Sequence, residues 1–186
     1  MGLTISTLIV MGSSKSLEIL ISLVKSIRGH LVDEMEQNGQ ILKIIGLLSS
    51  EDLQVRLMAM QCLFEMAYFG RKEVLESMIE CGLVEKLVFL QRVEPESDES
   101  EVSQLEDGKC REICDELGRE KGEFVSNHSF SGCTARFTVQ VEVGEGMEKR
   151  EKKEIKMEIL RRATAACVSE AEAATVVSEV LWGSHP

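Results

Sequence analysis

Four residues in the second half of the chain have side chains and a spacing that could bind a metal ion. Cys110 and Cys114 are separated by three residues, and His128 and Cys133 follow with four residues between them. Thiolate and imidazole groups at such intervals can form the tetrahedral ligand set of a small zinc site. The apolar interior of a zinc finger is missing from this stretch, so we expect no bound metal. A zinc-bearing structural regulator is kept as one alternative for the protein.

The chain shows no grouping of residues typical of catalysis. Its histidines, His30, His128 and His185, have no serine or cysteine and carboxylate at a spacing that the sequence alone would bring together. Gly144 and Gly146 lie in the segment EVGEGM. That segment lacks the lysine and the strand-to-helix transition of a phosphate-binding loop. We therefore expect a protein that is not an enzyme and that binds no cofactor.

The composition limits the classes of partner. The 186 residues carry a net charge of −11, which argues against nucleic-acid binding because such binding requires a basic surface. No convincing secretory signal accompanies the six cysteines, so we expect reduced thiols in an intracellular protein of the cytoplasm or nucleus. No apolar run approaches the length of a membrane span. Gly2 and Ser6 form only a minimal myristoylation pattern, so we expect no stable membrane insertion.

The elements that must position any functional residue are helices that repeat along the chain. The segment from Gly39 to Leu90 contains three apolar patterns with helical spacing, separated by turn signals. A shift of 43 residues aligns Leu31-Val32 with Val74-Leu75 and continues in both directions. A period in the low forties with helical content is typical of armadillo and HEAT repeats. We predict an all-α fold, a short right-handed α-solenoid of armadillo-type repeats with a helical C-terminal cap.

The predicted organisation has four parts. Residues 1–14 are interpreted as a partial preceding repeat or as disordered, and residues 15–91 as two armadillo repeats. Residues 92–123 are interpreted as an acidic flexible insertion, because seven acidic and no basic residues lie between Val93 and Gly108. Residues 124–186 are interpreted as a divergent third repeat and the cap.

The stretch 134–144 fits both a strand and a helix. Its apolar residues alternate as in a strand, while Phe130, Cys133, Phe137 and Val141 have helical spacing. A single strand would have no partner in this chain, so we predict a helix.

The last predicted helix has a clear start and one large aromatic residue. Ser169 and Glu172 stand in the capping-box relation. We expect Trp182 to anchor this helix against the preceding one.

Several segments resemble those of a group of small plant armadillo-repeat proteins. They are VKSIRGHLVDEM, the stretch from Arg136 to Lys152, and the stretch from Ser169 to Gly183. The resemblance implies a helical C-terminal region and a non-catalytic scaffold for protein–protein interaction. The wider family includes plant U-box ubiquitin ligases, and no separate U-box region precedes the repeats here. A substrate-recognition or adaptor subunit of a ubiquitin ligase is therefore the first alternative.

A partner-binding groove is predicted on the helices that line one face of the repeats. Armadillo arrays of the importin and catenin type carry a Trp and an Asn four residues apart on these helices, and this chain has neither at those positions. We therefore do not expect binding of nuclear signals of that type. The remaining face suits another protein, with a basic or polar segment. The candidate groove residues are Glu18, Ser22, Lys25, Gln61, Glu65 and Tyr68.

Two further expectations concern the ends of the chain. Removal of residues 124–186 should leave the repeats poorly folded, because helices from that region would cover Leu87, Val88 and Leu90. The N-terminal end has no evident polar cap, which is consistent with either of two alternatives, a shortened member of the family or self-association at that end.

A basic cluster near the C-terminus, 149–162, resembles a nuclear localisation signal. Glutamates interleave with its lysines and arginines, so we interpret it as an exposed helix face of mixed charge.

Overall fold

The computed structural model describes residues 2–93 and 130–182, and every regular element in these ranges is an α-helix. The prediction of an all-α fold is confirmed for this part of the chain. Nearly all of the predicted acidic insertion lies outside the described residues. In chain order the helices are α1 (Gly2–Met11), α2 (Ser14–Ile27), α3 (Gly29–Gln37), α4 (Gln40–Leu47), α5 (Leu53–Phe69), α6 (Lys72–Glu80), α7 (Leu83–Val93), α8 (Cys133–Val143), α9 (Lys149–Ala166) and α10 (Glu170–Trp182).

The observed helices repeat at the spacing found in the sequence. Helices α3 and α6 both begin and end 43 residues apart, and α4 and α7 begin 43 residues apart. The turns between these pairs each contain a glycine with positive φ, Gly39 at 63° and Gly82 at 81°. Glycine suits these turns because a Cβ atom makes the left-handed backbone region unfavourable. The turn chemistry therefore recurs together with the apolar pattern.

Local signals in the sequence explain the bounds of the longest central helix. Asp52 caps the start of α5, where its Oδ1 accepts a hydrogen bond from the Gln54 backbone N–H at 2.8 Å. This bond satisfies one of the amide groups that the first turn of a helix leaves unpaired. At the other end the N–H of Gly70 donates to the Met66 carbonyl, and the chain turns toward α6.

The described helices form two layers. Helices α2, α5, α8 and α10 follow one another side by side in the first layer. In the second layer α4 packs beneath α5, α7 beneath α8, and α9 beneath α10, while α6 lies between α3 and α9. A single cluster of buried apolar side chains runs between the layers, from Ile5 in α1 to Val180 in α10. The N-terminal residues 2–11, interpreted as a partial repeat or as disordered, are helical and contribute to this core.

The ambiguous stretch near residue 140 is a helix, as predicted. Phe130, Cys133, Phe137 and Val141 are all buried, and they recur at the spacing of one helix face. Val139 and Val143, which a strand pattern would place beside Phe137, are exposed instead. The helical spacing therefore determined which side chains enter the core.

The last helix begins as predicted, but the prediction for its aromatic residue is wrong. The Ser169 hydroxyl accepts a hydrogen bond from the Glu172 N–H at 3.1 Å, just before α10 starts. Val176 and Val180 are the buried residues of α10, whereas 78% of Trp182 is exposed. Two residues correspond to a rotation of roughly 200° about a helix. Trp182 therefore points away from the face that carries Val180.

Candidate functional site

The six predicted groove residues lie on the outward faces of two neighbouring helices. Glu18, Ser22 and Lys25 share one face of α2 by their spacing. On α5, the partly exposed residues recur three or four positions apart and include the other three, Gln61, Glu65 and Tyr68. Because α2 and α8 flank α5 on both sides, only this narrow stripe of α5 remains accessible.

Contacts between the helices show that α2, α5 and α8 run in the same direction. Arg28, at the end of α2, places its guanidinium 5.8 Å from the ring centre of Phe69, at the end of α5. The rings of Phe64 on α5 and Phe137 on α8 lie 6.0 Å apart, and Arg56 near the start of α5 covers Phe130 just before α8. The outward faces of these three helices therefore form one surface, which we name the α2–α5–α8 surface.

An ion pair joins the two helices that carry the predicted residues. The Lys25 Nζ lies 2.9 Å from the Glu65 Oε1, with the two side chains 48% and 22% exposed. Such a partly exposed pair contributes little to stability, on the order of 0–1 kcal/mol. It does neutralise the charge of Glu65 locally. Glu18, one helical turn before Ser22, forms no ion pair with a described residue and keeps its charge available.

Gln61 occupies the middle of the exposed stripe of α5. Its side chain is partly buried, and it makes no hydrogen bond with any residue that the structure describes. A glutamine amide has two N–H donors and a carbonyl acceptor. The group is therefore able to bond both the carbonyl and the N–H of a peptide backbone laid across the surface.

The C-terminal end of the surface is a cluster of side chains that includes Arg28 and Glu145, two residues that the sequence did not predict. The hydroxyl of Tyr68 donates to the Glu145 Oε1 at 3.4 Å, and the Arg28 Nη1 lies 3.4 Å from the Glu145 Oε2. The ring of Tyr68 meets that of Phe69 edge-on, with centres 4.9 Å apart. The cluster unites residues from the ends of three helices, which no local spacing could reveal.

A close backbone contact places Glu145 in this cluster. The N–H of Glu145 donates to the Tyr68 carbonyl at 2.7 Å. A Cβ atom on Gly146 would lie 2.1 Å from the Gly70 carbonyl oxygen, and one on Gly144 would lie 2.5 Å from that of Tyr68. The two glycines that do not fit a phosphate loop are thus explained by the approach of two backbones.

Helix α8 contributes an arginine and an apolar edge to the surface. The Arg136 guanidinium lies 5.7 Å from the centre of the Phe64 ring, a distance suited to a cation–π contact. Partial burial lowers the pKa of Arg136, which remains protonated at neutral pH because the ordinary value is so high. Val139 is exposed one turn further along. The surface therefore combines polar, cationic and apolar groups.

The candidate metal ligands are only partly within the described residues. Cys110, Cys114 and His128 lie outside them. Cys133 is buried, and its thiol donates to the Leu87 carbonyl at 3.3 Å. Within residues 2–93 and 130–182, no three His, Cys, Asp or Glu side chains are grouped so as to hold a metal ion.

The basic cluster lies on α9, and part of it is engaged within the molecule. The Lys152 Nζ donates to the Gly144 carbonyl at 2.5 Å, at the end of α8. Arg162 pairs with Glu158 at 2.9 Å and with Glu85 of α7 at 3.4 Å. The cluster is thus a helix face with mixed charge, as interpreted from its sequence.

In the part of the chain that the structure describes, none of the helices is both long and apolar enough to cross a lipid bilayer. No protein-family model and no curated protein matches the chain.

Proposed function

We propose that the chain is a short right-handed α-solenoid of armadillo-type repeats that acts as a non-catalytic protein-interaction module. The 43-residue recurrence of helix bounds and the side-by-side order of α2, α5 and α8 support this architecture. In this proposal α2-α3-α4 and α5-α6-α7 are the two successive repeats of residues 15–91, and α8 belongs to the divergent third repeat. Helix α9 with α10 forms the cap. Solenoids of this kind present an extended surface on which other chains bind.

The α2–α5–α8 surface is the proposed binding face. The observation that carries this assignment is the position of Gln61 in the centre of the exposed stripe of α5. Its amide has no hydrogen-bond partner among the described residues. An extended peptide could bond this amide through its backbone, while its side chains contact the groups on either side. The neighbouring ion pair and aromatic contacts hold the three helices in place, so binding requires little reorganisation.

The proposed partner is another protein with a basic or polar segment. Glu18 supplies a carboxylate on α2 that has no ion pair with a described residue. The charges of Glu65 and Glu145 are matched by Lys25 and Arg28, so the preference for a basic segment rests on Glu18. Nucleic acid is not proposed as a partner, since the chain carries a net charge of −11.

Quantitative affinity capture tests the proposal. The variant Gln61→Ala/Glu65→Lys removes the central amide and reverses one charge on the binding face. Its matched control, Gln37→Ala/Glu80→Lys, makes the same changes on α3 and α6, at exposed positions of the other layer. We expect the first variant to lose proteins that the wild type and the control both retain. Equal recovery by all three proteins would contradict the assignment of this face.

The same capture distinguishes the alternatives. An adaptor of a ubiquitin ligase would retain a ligase or a conjugating enzyme through the α2–α5–α8 surface, whereas a general scaffold would not. A zinc-bearing regulator would contain stoichiometric zinc, which metal analysis of the purified protein measures directly.

A further inference from the structure

Helix α9 concentrates positive charge in an acidic protein. Its 18 residues include seven lysines and arginines and three glutamates, whereas the whole chain carries a net charge of −11. The helix lies in the second layer, against α6, α7 and α8, and so outside the α2–α5–α8 surface. The proposed interaction face therefore does not account for this charge.

Three of the basic residues of α9 turn toward the body of the protein. Lys152 donates to carbonyl groups at the end of α8, and the Lys156 Nζ lies 2.7 Å from the Glu142 Oε1. Arg162 contacts Glu85 on α7. These contacts orient α9, and they leave Arg150, Lys153 and Arg161 on the outward side of the helix.

The outward side retains binding capacity for carboxylates. Lys153 makes no hydrogen bond or ion pair with a described residue. Arg161 directs its Nε and Nη2 to Glu158, at 2.8 Å and 2.5 Å, which leaves its Nη1 donors unused within the described part of the chain. The side chain of Arg150 is 90% exposed, and among the described residues it donates only through its Nε, to Glu154. A guanidinium has five N–H donors, so both arginines can donate hydrogen bonds to a further carboxylate.

An exposed methionine lies among these cations. Met157 is 59% exposed, one helical turn after Lys153 and one before Arg161. A shallow and open depression follows the helix here, lined by Arg150, Lys153, Glu154, Met157, Glu158 and Arg161. A thioether is apolar and adaptable, so it suits an aliphatic or aromatic side chain of a partner. The face thus offers donors for carboxylates around one apolar contact.

We propose that this outward face of α9, defined by Arg150, Lys153, Met157 and Arg161, binds an acidic peptide segment of a partner protein. The partner's carboxylates bond Arg150, Lys153 and Arg161, and one apolar side chain packs on Met157. The face extends about 17 Å at 1.5 Å per residue of helix. A segment of about five or six extended residues spans that length.

The glutamates on α9 favour a peptide over a nucleic acid or an anionic membrane. Glu154 and Glu158 line the same depression, and each already pairs with two cations. A continuous row of phosphates would lie against these carboxylates. A peptide can place its acidic side chains at the three cations and avoid the two glutamates.

Fluorescence polarisation with a labelled peptide tests the proposal on the full chain. The probe is an eight-residue peptide of Asp and Glu with one central Leu. The variant Lys153→Glu/Arg161→Glu should bind it at least about tenfold more weakly than the wild type, since two charge-assisted contacts become repulsive. The control Lys15→Glu/Lys43→Glu makes the same change in net charge on α2 and α4, and it should bind like the wild type. Far-ultraviolet circular dichroism checks that both variants are folded.

Two further arms make the result specific. Met157→Ser should weaken binding of the Leu peptide, because it removes the apolar contact between Met157 and that Leu. It should not change binding of a second peptide in which Ser replaces the Leu, because that peptide makes no such contact. The proposal is overturned if the wild type shows no saturable binding, or if the α9 variant binds as well as its control. It is also overturned if a single-stranded oligonucleotide or vesicles containing phosphatidylserine compete as well as unlabelled peptide at equal charge.

Discussion

Arg28 adopts a backbone conformation that side-chain-bearing residues rarely occupy. Its φ and ψ angles are 61° and −142°, between the end of α2 and the start of α3. A conformation of this kind costs a non-glycine residue on the order of 1–3 kcal/mol. The contacts that Arg28 gains with Phe69 and Glu145 lie at the surface, where such interactions are weak. These contacts therefore offset little of the backbone cost at Arg28, which lies at one end of the proposed binding face.

Replacing Arg28 separates the backbone cost from the side-chain contacts. Arg28→Ala loses the contacts and keeps the strain, whereas Arg28→Gly loses both. We expect the glycine variant to be more stable than the alanine variant by about 1 kcal/mol in urea denaturation. A glycine variant less stable than the alanine variant would show that the backbone at this position is not strained.

Glu158 makes stability depend on pH through its two arginine partners. Hydrogen bonds from Arg161 and then Arg162 lower the pKa of Glu158 from 4.5 to about 2. A carboxyl group with a depressed pKa in the folded state contributes stability that is complete above about pH 4.5, and that stability is lost as the pH falls toward 2. We expect Glu158→Gln to lower the melting temperature slightly near neutral pH and to have no effect near pH 2. The control Glu80→Gln, at a position without an ion pair among the described residues, should change neither value. If the melting temperature of Glu158→Gln were still lower than that of the wild type near pH 2, ionisation of Glu158 would not be the source of the stability.

Among the helices, α5 and α8 approach each other closely at their C-terminal ends because glycines there lack a side chain. A Cβ atom on Gly146 would overlap the Gly70 carbonyl oxygen at 2.1 Å, and this oxygen belongs to backbone that cannot rotate away. We expect Gly146→Ala to destabilise the protein by about 2 kcal/mol, a typical cost of overpacking. Gly46→Ala, in α4 with open space around the added atom, should instead be neutral or stabilise by up to about 1 kcal/mol. Thermal melting of both variants gives the comparison, and equal stability of the two would refute the close approach.

How much of this architecture the sequence predicts depends on whether the signal is local. The shift of 43 residues that aligns Leu31-Val32 with Val74-Leu75 predicts two helices whose bounds differ by the same 43 residues. The sequence can predict them because the spacing of apolar residues alone decides which face of a helix is buried. The contact between Glu145 and Tyr68 joins residues 77 positions apart, and spacing says nothing about it. Gly146 is visible in the sequence as a glycine outside any turn or loop motif. The reason for the glycine, its close approach to the Gly70 carbonyl, is visible only in the structure. The prediction for Trp182 is wrong because its angular position on α10, roughly 200° from the buried Val180, outweighs the tendency of a large aromatic side chain to be buried.

The whole molecule depends on contacts between its two described ranges. Helices α8 and α9 pack on α5, α6 and α7, and Phe130, Phe137 and Ile159 are fully or nearly fully buried there. Deleting residues 124–186 would expose the surfaces of α5 and α7 that these helices cover. We expect the fragment 1–123 to lose its cooperative melting transition, since stacked helical units stabilise one another through their interfaces.

A thiol provides the second readout of that fragment. Burial raises the pKa of Cys62 to about 12, so this thiol should be unreactive in the intact protein. In the fragment it should react with a thiol reagent at the rate of an unfolded chain. A sharp transition at the temperature of the full chain, with Cys62 still protected, would contradict the dependence on the C-terminal helices.

Photo-crosslinking asks directly whether the α2–α5–α8 surface binds another protein while leaving Gln61 in place. A photoreactive phenylalanine analogue is placed at position 139, an exposed apolar position of α8 on this surface, and in a second protein at position 80, at an exposed site on α6. On irradiation in cells, position 139 should give a discrete crosslinked species of higher mass that position 80 does not give. The charge reversal Glu18→Lys should diminish that species. Crosslinks that are absent from position 139, or equally strong from position 80, would contradict binding at this surface.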